Sequence, residues 1–186
     1  LVGSSVVKCL IKNGYQNIIK KDKLELDLSD QKRTGLFFKK EKPDVVICAA
    51  AKVGGIYANH TYPGQFLFEN LSIQNNLIHF SHEFEVKYLL FLGSACIYPK
   101  YAVQPIKEDS MLSGPLEPTN EPYALAKIAG IKLCETYYKQ YSDNFISIMP
   151  NNLYGSNDNF HPDTSHVIPA LIQKFHNAKV TSSKYV

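Results

Sequence analysis

Tyr123 and Lys127 stand four residues apart, a spacing with chemical consequences. On a helix, positions four apart share a face, so the Lys127 ammonium can lie beside the Tyr123 phenol. A nearby cation favours phenolate and draws tyrosine down from its usual pKa of about 10, which suits an acid or base near neutral pH. The spacing alone describes an amphipathic surface pair equally well. Leu89-Leu90-Phe91-Leu92-Gly93-Ser94 adds the missing specificity, because this apolar run ends in a serine. A serine at the carboxyl end of a buried strand can hydrogen-bond a substrate carbonyl beside the tyrosine. Ser94, Tyr123 and Lys127 together read as a reductase triad.

Cys96, two residues beyond Ser94, and His166, ahead of Val167-Ile168-Pro169, raise a second chemistry. A buried cysteine is usually a small apolar residue and a lone histidine is usually structural. A Cys/His pair also admits a hydrolase or acyl-transfer reading. Against it, Cys96 opens no helix, and the Ser/Tyr/Lys set would be left without a purpose.

These side chains need elements to position them. Asp44 to Ala51, Lys87 to Gly93 and Phe145 to Met149 are apolar runs of strand length, with Asn17 to Lys20 a fourth, shorter candidate. Helical stretches are expected over Ser4–Ile11, ending near Asn13-Gly14, and over Thr34–Lys42, ending before Pro43. Others are expected over Asn70–Phe84, Pro122–Tyr141 and Ile168–Ala178. Alternating buried strands and crossover helices predict an α/β fold, a doubly wound parallel sheet with helices on both faces. Such sheets hold ligands at the carboxyl ends of their strands. The Pro105–Pro122 stretch reads as a long functional loop.

A nucleotide fold of this type begins with a strand and a glycine-rich turn. Gly3, just before the first helix, fits the last glycine of that turn, where it allows close packing and helps aim N–H groups at a pyrophosphate. The two earlier glycines are absent, as is an initial Met. The expectation is a piece of a larger protein: residues 1–186 as a partial NAD(P)-binding Rossmann domain, with a substrate-binding region starting near 156–186. About 20 residues past the glycine, Lys20-Lys21-Asp22-Lys23 mixes an acid that suits the NAD ribose with cations that suit the NADP phosphate. The lysines, Lys23 among them, favour NADP(H).

Composition narrows the class further. With 45% hydrophobic and 20% charged residues, the chain fits one soluble globular domain, and no apolar run reaches membrane-span length. A net charge of +3, with scattered lysines, gives no case for a nucleic-acid partner. The four cysteines show no C-x-x-C pair and read as free thiols of a reducing, cytoplasmic compartment, with no metal site expected.

Several segments resemble the GDP-L-fucose synthase family of extended short-chain dehydrogenase/reductases. They are Ala49-Ala50-Ala51-Lys52-Val53-Gly54-Gly55-Ile56, Gly93 to Lys100, Leu116 to Tyr123, Ala126 to Gly130, Asn152 to Gly155, Asp158 to Pro162 and Ser165 to Pro169. The resemblance implies conversion of GDP-4-keto-6-deoxy-D-mannose to GDP-L-fucose, by epimerisation at C3 and C5 and reduction at C4 with NADPH. By the same resemblance, Tyr123 would protonate the C4 oxygen, Lys127 would lower the Tyr123 pKa and hold the nicotinamide ribose, and Ser94 would position the keto group. Cys96 and His166 would serve the epimerisations as base and acid. Gly3, Lys23, Leu92, Gly93, Ser94, Ala95, Lys127, Pro150, Asn151, Asn152, Leu153 and His166 would contact the cofactor, Lys174 the substrate. Homodimers are implied, with the helices around Asn70–Phe84 and Pro122–Tyr141 at the interface. The chain departs from the family's usual residues at Asn151, commonly Thr, and Ala95, commonly Ser. The alternatives are another nucleotide-sugar epimerase or dehydratase, and a non-catalytic dinucleotide-binding regulator.

Overall fold

The computed structural model describes residues 1–161 and 164–185, so Pro162 and Val186 of the segments above lie outside the described residues. Three parallel strands, β1 (Val45–Cys48), β2 (Tyr88–Leu92) and β3 (Phe145–Ile148), form a sheet in that order. The helices are α1 (Val2–Lys12), α2 (Gln31–Glu41), α3 (Ile56–Thr61), α4 (Pro63–Glu83), α5 (Glu121–Tyr141) and α6 (Val167–Val180). Two 3₁₀ turns, Ala95–Ile97 and Glu108–Ser110, punctuate the stretch between β2 and α5.

Register decides which side chains reach the core. Leu89 stands between Val46 and Phe145, and Phe91 between Cys48 and Ser147. Strand side chains alternate, so this row shares one face, on which Leu89 and Phe91 are fully buried. Helices α4 and α5 pack against it, and α2 packs on α4. Glycine sets how closely α5 approaches: a Cβ at Gly130 would stand 2.4 Å from Phe91 Cζ. Gln74 of α4 locks the helix pair by donating to the Ala126 carbonyl at 2.6 Å.

The other face of the sheet is more open. Tyr88 is 59% exposed and Ile146 60%, α1 buries none of its residues, and Pro169 is the buried residue of α6. Within the described residues the dense helical layer therefore covers one face, whereas the apolar runs predicted cover on both.

Two local readings change. Asn17–Lys20 is not a strand: among the described residues no neighbour pairs with it, and a strand is completed by its neighbour's hydrogen bonds. Helix α3 was not anticipated, being too short at six residues to show a period. Boundaries also shift. Asp30 caps α2 by accepting from the Arg33 N–H at 2.9 Å, and α4 starts at Pro63, a residue well suited to a first turn.

Candidate active site

Ser94 and Cys96 leave the carboxyl end of β2, while Tyr123 and Lys127 occupy the first turns of α5. Gly93 allows β2 to continue close to β3 and α5. Its N–H donates to the Ile148 carbonyl at 2.8 Å, and a Cβ there would meet that oxygen and Ile131 Cδ1 at 3.2 Å. Ser94 is extended and opens the 3₁₀ turn that carries Cys96, whose Sγ donates to Ser94 Oγ at 3.3 Å. The Ser94 hydroxyl also lies near the Tyr123 phenol and favours its charged form. One hydroxyl thus bonds the thiol and neighbours the phenol.

Lys127 is 4% exposed. Its Nζ donates to the Leu92 carbonyl at 2.8 Å and lies 4.9 Å from the Phe91 ring centre and 5.7 Å from that of Tyr123. Burial pushes the ammonium's pKa down. The same burial pushes the Tyr123 phenol well above its usual value; negative charge on Cys96 would add to this, and the nearby Ser94 hydroxyl opposes it. This departs from the expectation that Lys127 lowers the Tyr123 pKa: desolvation wins, and the ammonium is spent on a carbonyl. Burial also raises the Cys96 thiol. Without cofactor, Tyr123 and Cys96 are both protonated at neutral pH, so the tyrosine is ready to give a proton.

His166 sits one layer out. It is the exposed residue that precedes α6. The chain before it rests on the loop after β1, where Gly55 N–H donates to Thr164 O at 3.1 Å. A Cβ on Gly55 would lie 2.6 Å from the Ser165 carbonyl. Phe66 completes the link, standing edge-on to Tyr123 at 6.3 Å and 3.3 Å from where a Gly54 Cβ would be. The structure gathers Ser94, Cys96, Tyr123 and Lys127, and sets the chain just before His166 against the two glycines, one of which neighbours Phe66.

The cofactor positions spread along the same edge. Gly3 lies in the first turn of α1 with its Cβ position 3.7 Å from Ala49 Cβ, just past the end of β1. Leu92, Gly93 and Ala95 surround Ser94, and Pro150, Asn151, Asn152 and Leu153 follow β3, the last three exposed. Lys23 pairs with Glu69 at 3.2 Å, and Lys174 is exposed on α6. Small side chains at Gly3, Ala49, Ala50, Gly93 and Ala95, with cations at Lys23 and Lys127, fit a dinucleotide's pyrophosphate, ribose and phosphate groups. Near α6, a cavity of about 210 Å³ is lined by Tyr154, Asp158, Phe160, Ile168, Pro169 and Ile172, among others. No group of three metal-ligating side chains occurs among the described residues, and no helix there is long and apolar enough to cross a membrane.

Four contributors escaped sequence reasoning: Phe66, Lys52, Glu69 and Asn70. Asn70, 2% exposed, accepts from Lys52 N–H at 2.8 Å and donates to the carbonyls of Lys52 at 3.0 Å and Phe66 at 2.7 Å. A polar residue on the apolar face of α4 was the available signal.

Residues 1–186 match the NAD dependent epimerase/dehydratase family. The chain belongs to that family. It is 57% identical over all its residues to GDP-L-fucose synthase 1 of Arabidopsis thaliana, spanning 58% of that protein. It is 54% identical over 178 residues to GDP-L-fucose synthase of Escherichia coli, where 96% of this chain covers 56% of the relative. Among solved structures, a GDP-D-glycero-L-gluco-heptose synthase of Campylobacter jejuni, determined in the presence of NADPH, superposes with a TM-score of 0.92 at 44% identity. That match covers 97% of this chain and 53% of the other. The chain therefore spans a little over half the length of the relatives it matches, and shares their parallel α/β fold.

Proposed function

We infer that the full-length protein epimerises GDP-4-keto-6-deoxy-D-mannose at C3 and C5 and reduces C4 with NADPH, giving GDP-L-fucose. The observation that carries this is the Ser94 hydroxyl, hydrogen-bonded to the Cys96 thiol and next to the Tyr123 phenol. It puts a thiol suited to proton exchange within one hydroxyl of a reductive proton donor. The high identity to two GDP-L-fucose synthases supports the substrate. The structure solved with NADPH supports the cofactor.

NADPH, when bound, supplies a hydride to C4. Tyr123 gives its phenolic proton to the C4 oxygen, and its burial keeps that proton in place until the oxygen becomes basic. Lys127 would hold the nicotinamide ribose and, once turned from the Leu92 carbonyl, stabilise the phenolate left behind. Ser94 hydrogen-bonds the keto oxygen. Protons at C3 and C5 flank that ketone and are acidic because the enolate is resonance-stabilised, so Cys96 and His166 exchange them as an acid–base pair. Gly3, Lys23, Leu92, Gly93, Ala95 and Pro150–Leu153 would line the cofactor, and Lys174 would meet the substrate. Residues 1–186 are then the larger part of the NAD(P)-binding domain, the substrate region beginning near 156–186, where the cavity at α6 supports it.

A homodimer in the cytoplasm completes this reading. Exposed Phe68 on α4 and Leu125 and Tyr138 on α5 support a contact between those helices, and four free thiols support the compartment. The test is Tyr123→Phe in the full-length protein. NADPH oxidation should be lost while deuterium still enters the keto-sugar from solvent; undiminished NADPH oxidation would sink the assignment.

A further inference from the structure

Glu69 holds two lysines at the edge where the dinucleotide would lie. Its Oε1 takes Lys52 Nζ at 2.7 Å and its Oε2 takes Lys23 Nζ at 3.2 Å. The two lysines are not equivalent. Lys52 is fixed: its side chain is 27% exposed, its Nζ also meets Gln65 at 3.1 Å, and it lies 5.8 Å from the Phe66 ring centre. Its backbone is clamped by Asn70. Lys23 has a side chain 68% exposed, with Glu69 as its recorded partner, so it can leave. Both ion pairs, Lys52 most strongly, hold the Glu69 carboxyl below its usual range, and it stays charged at neutral pH.

Position gives this pairing a consequence. Lys23 stands 20 residues beyond Gly3, where Rossmann folds read the adenosine ribose and where a cation accepts the 2′-phosphate of NADP. Gly3 meets Ala49, and Lys52 is three residues further along the same loop, so Gly3, Lys52, Glu69 and Lys23 follow one edge of the sheet. We propose that Glu69 sets cofactor preference by competing with the 2′-phosphate for Lys23, keeping the NADP site partly self-occupied while Lys52 anchors the carboxylate. The proposal rests on the NADPH reading above. A monoester phosphate carries close to two negative charges against one on Glu69, so the phosphate wins Lys23, but only after displacing a carboxylate. NADH has no group that asks for Lys23 and is indifferent to the exchange.

The experiment measures NADPH and NADH dissociation constants by fluorescence titration of the full-length protein and of its Glu69→Gln, Lys23→Gln and double variants. Glutamine keeps an oxygen for Lys52, so the α4 anchor persists. Glu69→Gln should bind NADPH about two- to fivefold more tightly, the range an exposed ion pair supports, with NADH unchanged. The gain should vanish in the Lys23→Gln background, as coupling between the two residues requires. Weaker NADPH binding in Glu69→Gln would show that Glu69 presents Lys23 rather than competing for it, and would overturn the proposal. So would equal changes for both dinucleotides, no change, or a gain that survives Lys23→Gln. If the wild-type protein binds neither dinucleotide, it is the NADPH reading itself that fails.

Discussion

Replacing Lys127 by Met should make the cofactor-free protein more stable while removing the reductase. Lys127 is 4% exposed, and no carboxylate pairs with it among the described residues. A buried ammonium without a counter-ion costs several kcal/mol in desolvation. One hydrogen bond to Leu92 O and the faces of Phe91 and Tyr123 return part of it, roughly 1–3 kcal/mol together. Methionine fills a similar volume and removes the desolvation cost, but leaves the Leu92 carbonyl without this donor, which costs about 1 kcal/mol. The net gain is about 1–2 kcal/mol, or a rise of roughly 2–8 °C in Tm for a domain of this size. The pH dependence sharpens the test. The folded pKa of Lys127 lies below its ordinary 10.5. Between the two values the unfolded chain holds a proton that the folded chain has lost, so wild-type stability gains from this group as pH rises through that window. The advantage of Lys127→Met is therefore full below the folded pKa and shrinks towards pH 10.5. Urea unfolding followed by circular dichroism at pH 7 and pH 10 measures both quantities. A variant less stable than wild type at pH 7, or a difference that does not shrink at pH 10, would refute the reasoning.

Three further outcomes are expected. Gly130→Ala sets a helix-propensity gain of about 1 kcal/mol against a Cβ placed 2.4 Å from the fully buried Phe91, and overpacking by that much should win, lowering the urea midpoint; a midpoint at or above wild type contradicts this. Asp30→Ala removes the α2 cap and should cost about 1 kcal/mol in the same assay, while Asp30→Ser should restore most of it. In the cofactor-free protein at pH 7.5, iodoacetamide should modify exposed Cys9 first and Cys96 slowly, leaving Cys48 and Cys134 intact; burial raises the last three, Cys134 to about 11. Peptide mapping that finds Cys134 modified as fast as Cys9 would contradict that order.

The triad was legible because its signals are local. An apolar run ending in Ser94 and a four-residue spacing on a helix already place three groups at one sheet edge, and Cys96 follows two residues later. The direction of the Tyr123 shift was not legible, since it depends on how deeply α5 packs against β2 and on where the Lys127 ammonium points. Long-range pairs were hidden for the same reason: Lys23 and Glu69 are 46 residues apart, and nothing near either announces the other. Asn17–Lys20 shows the converse, a segment with strand composition that forms no strand because no neighbour among the described residues completes its hydrogen bonds. Phe66 looked like one more apolar position on a helix. Its importance lies in touching Tyr123 on one side and the Gly54 loop on the other, which tertiary structure alone decides.

The central claim is that one site carries both proton exchange and reduction, and it is tested most directly by solvent-isotope labelling. Full-length protein with GDP-4-keto-6-deoxy-D-mannose and NADPH in deuterium oxide should yield GDP-L-fucose labelled at C3 and C5, read by NMR. Cys96→Ser should lose entry of deuterium at those carbons. Exchange in Cys96→Ser at the wild-type rate would contradict the account.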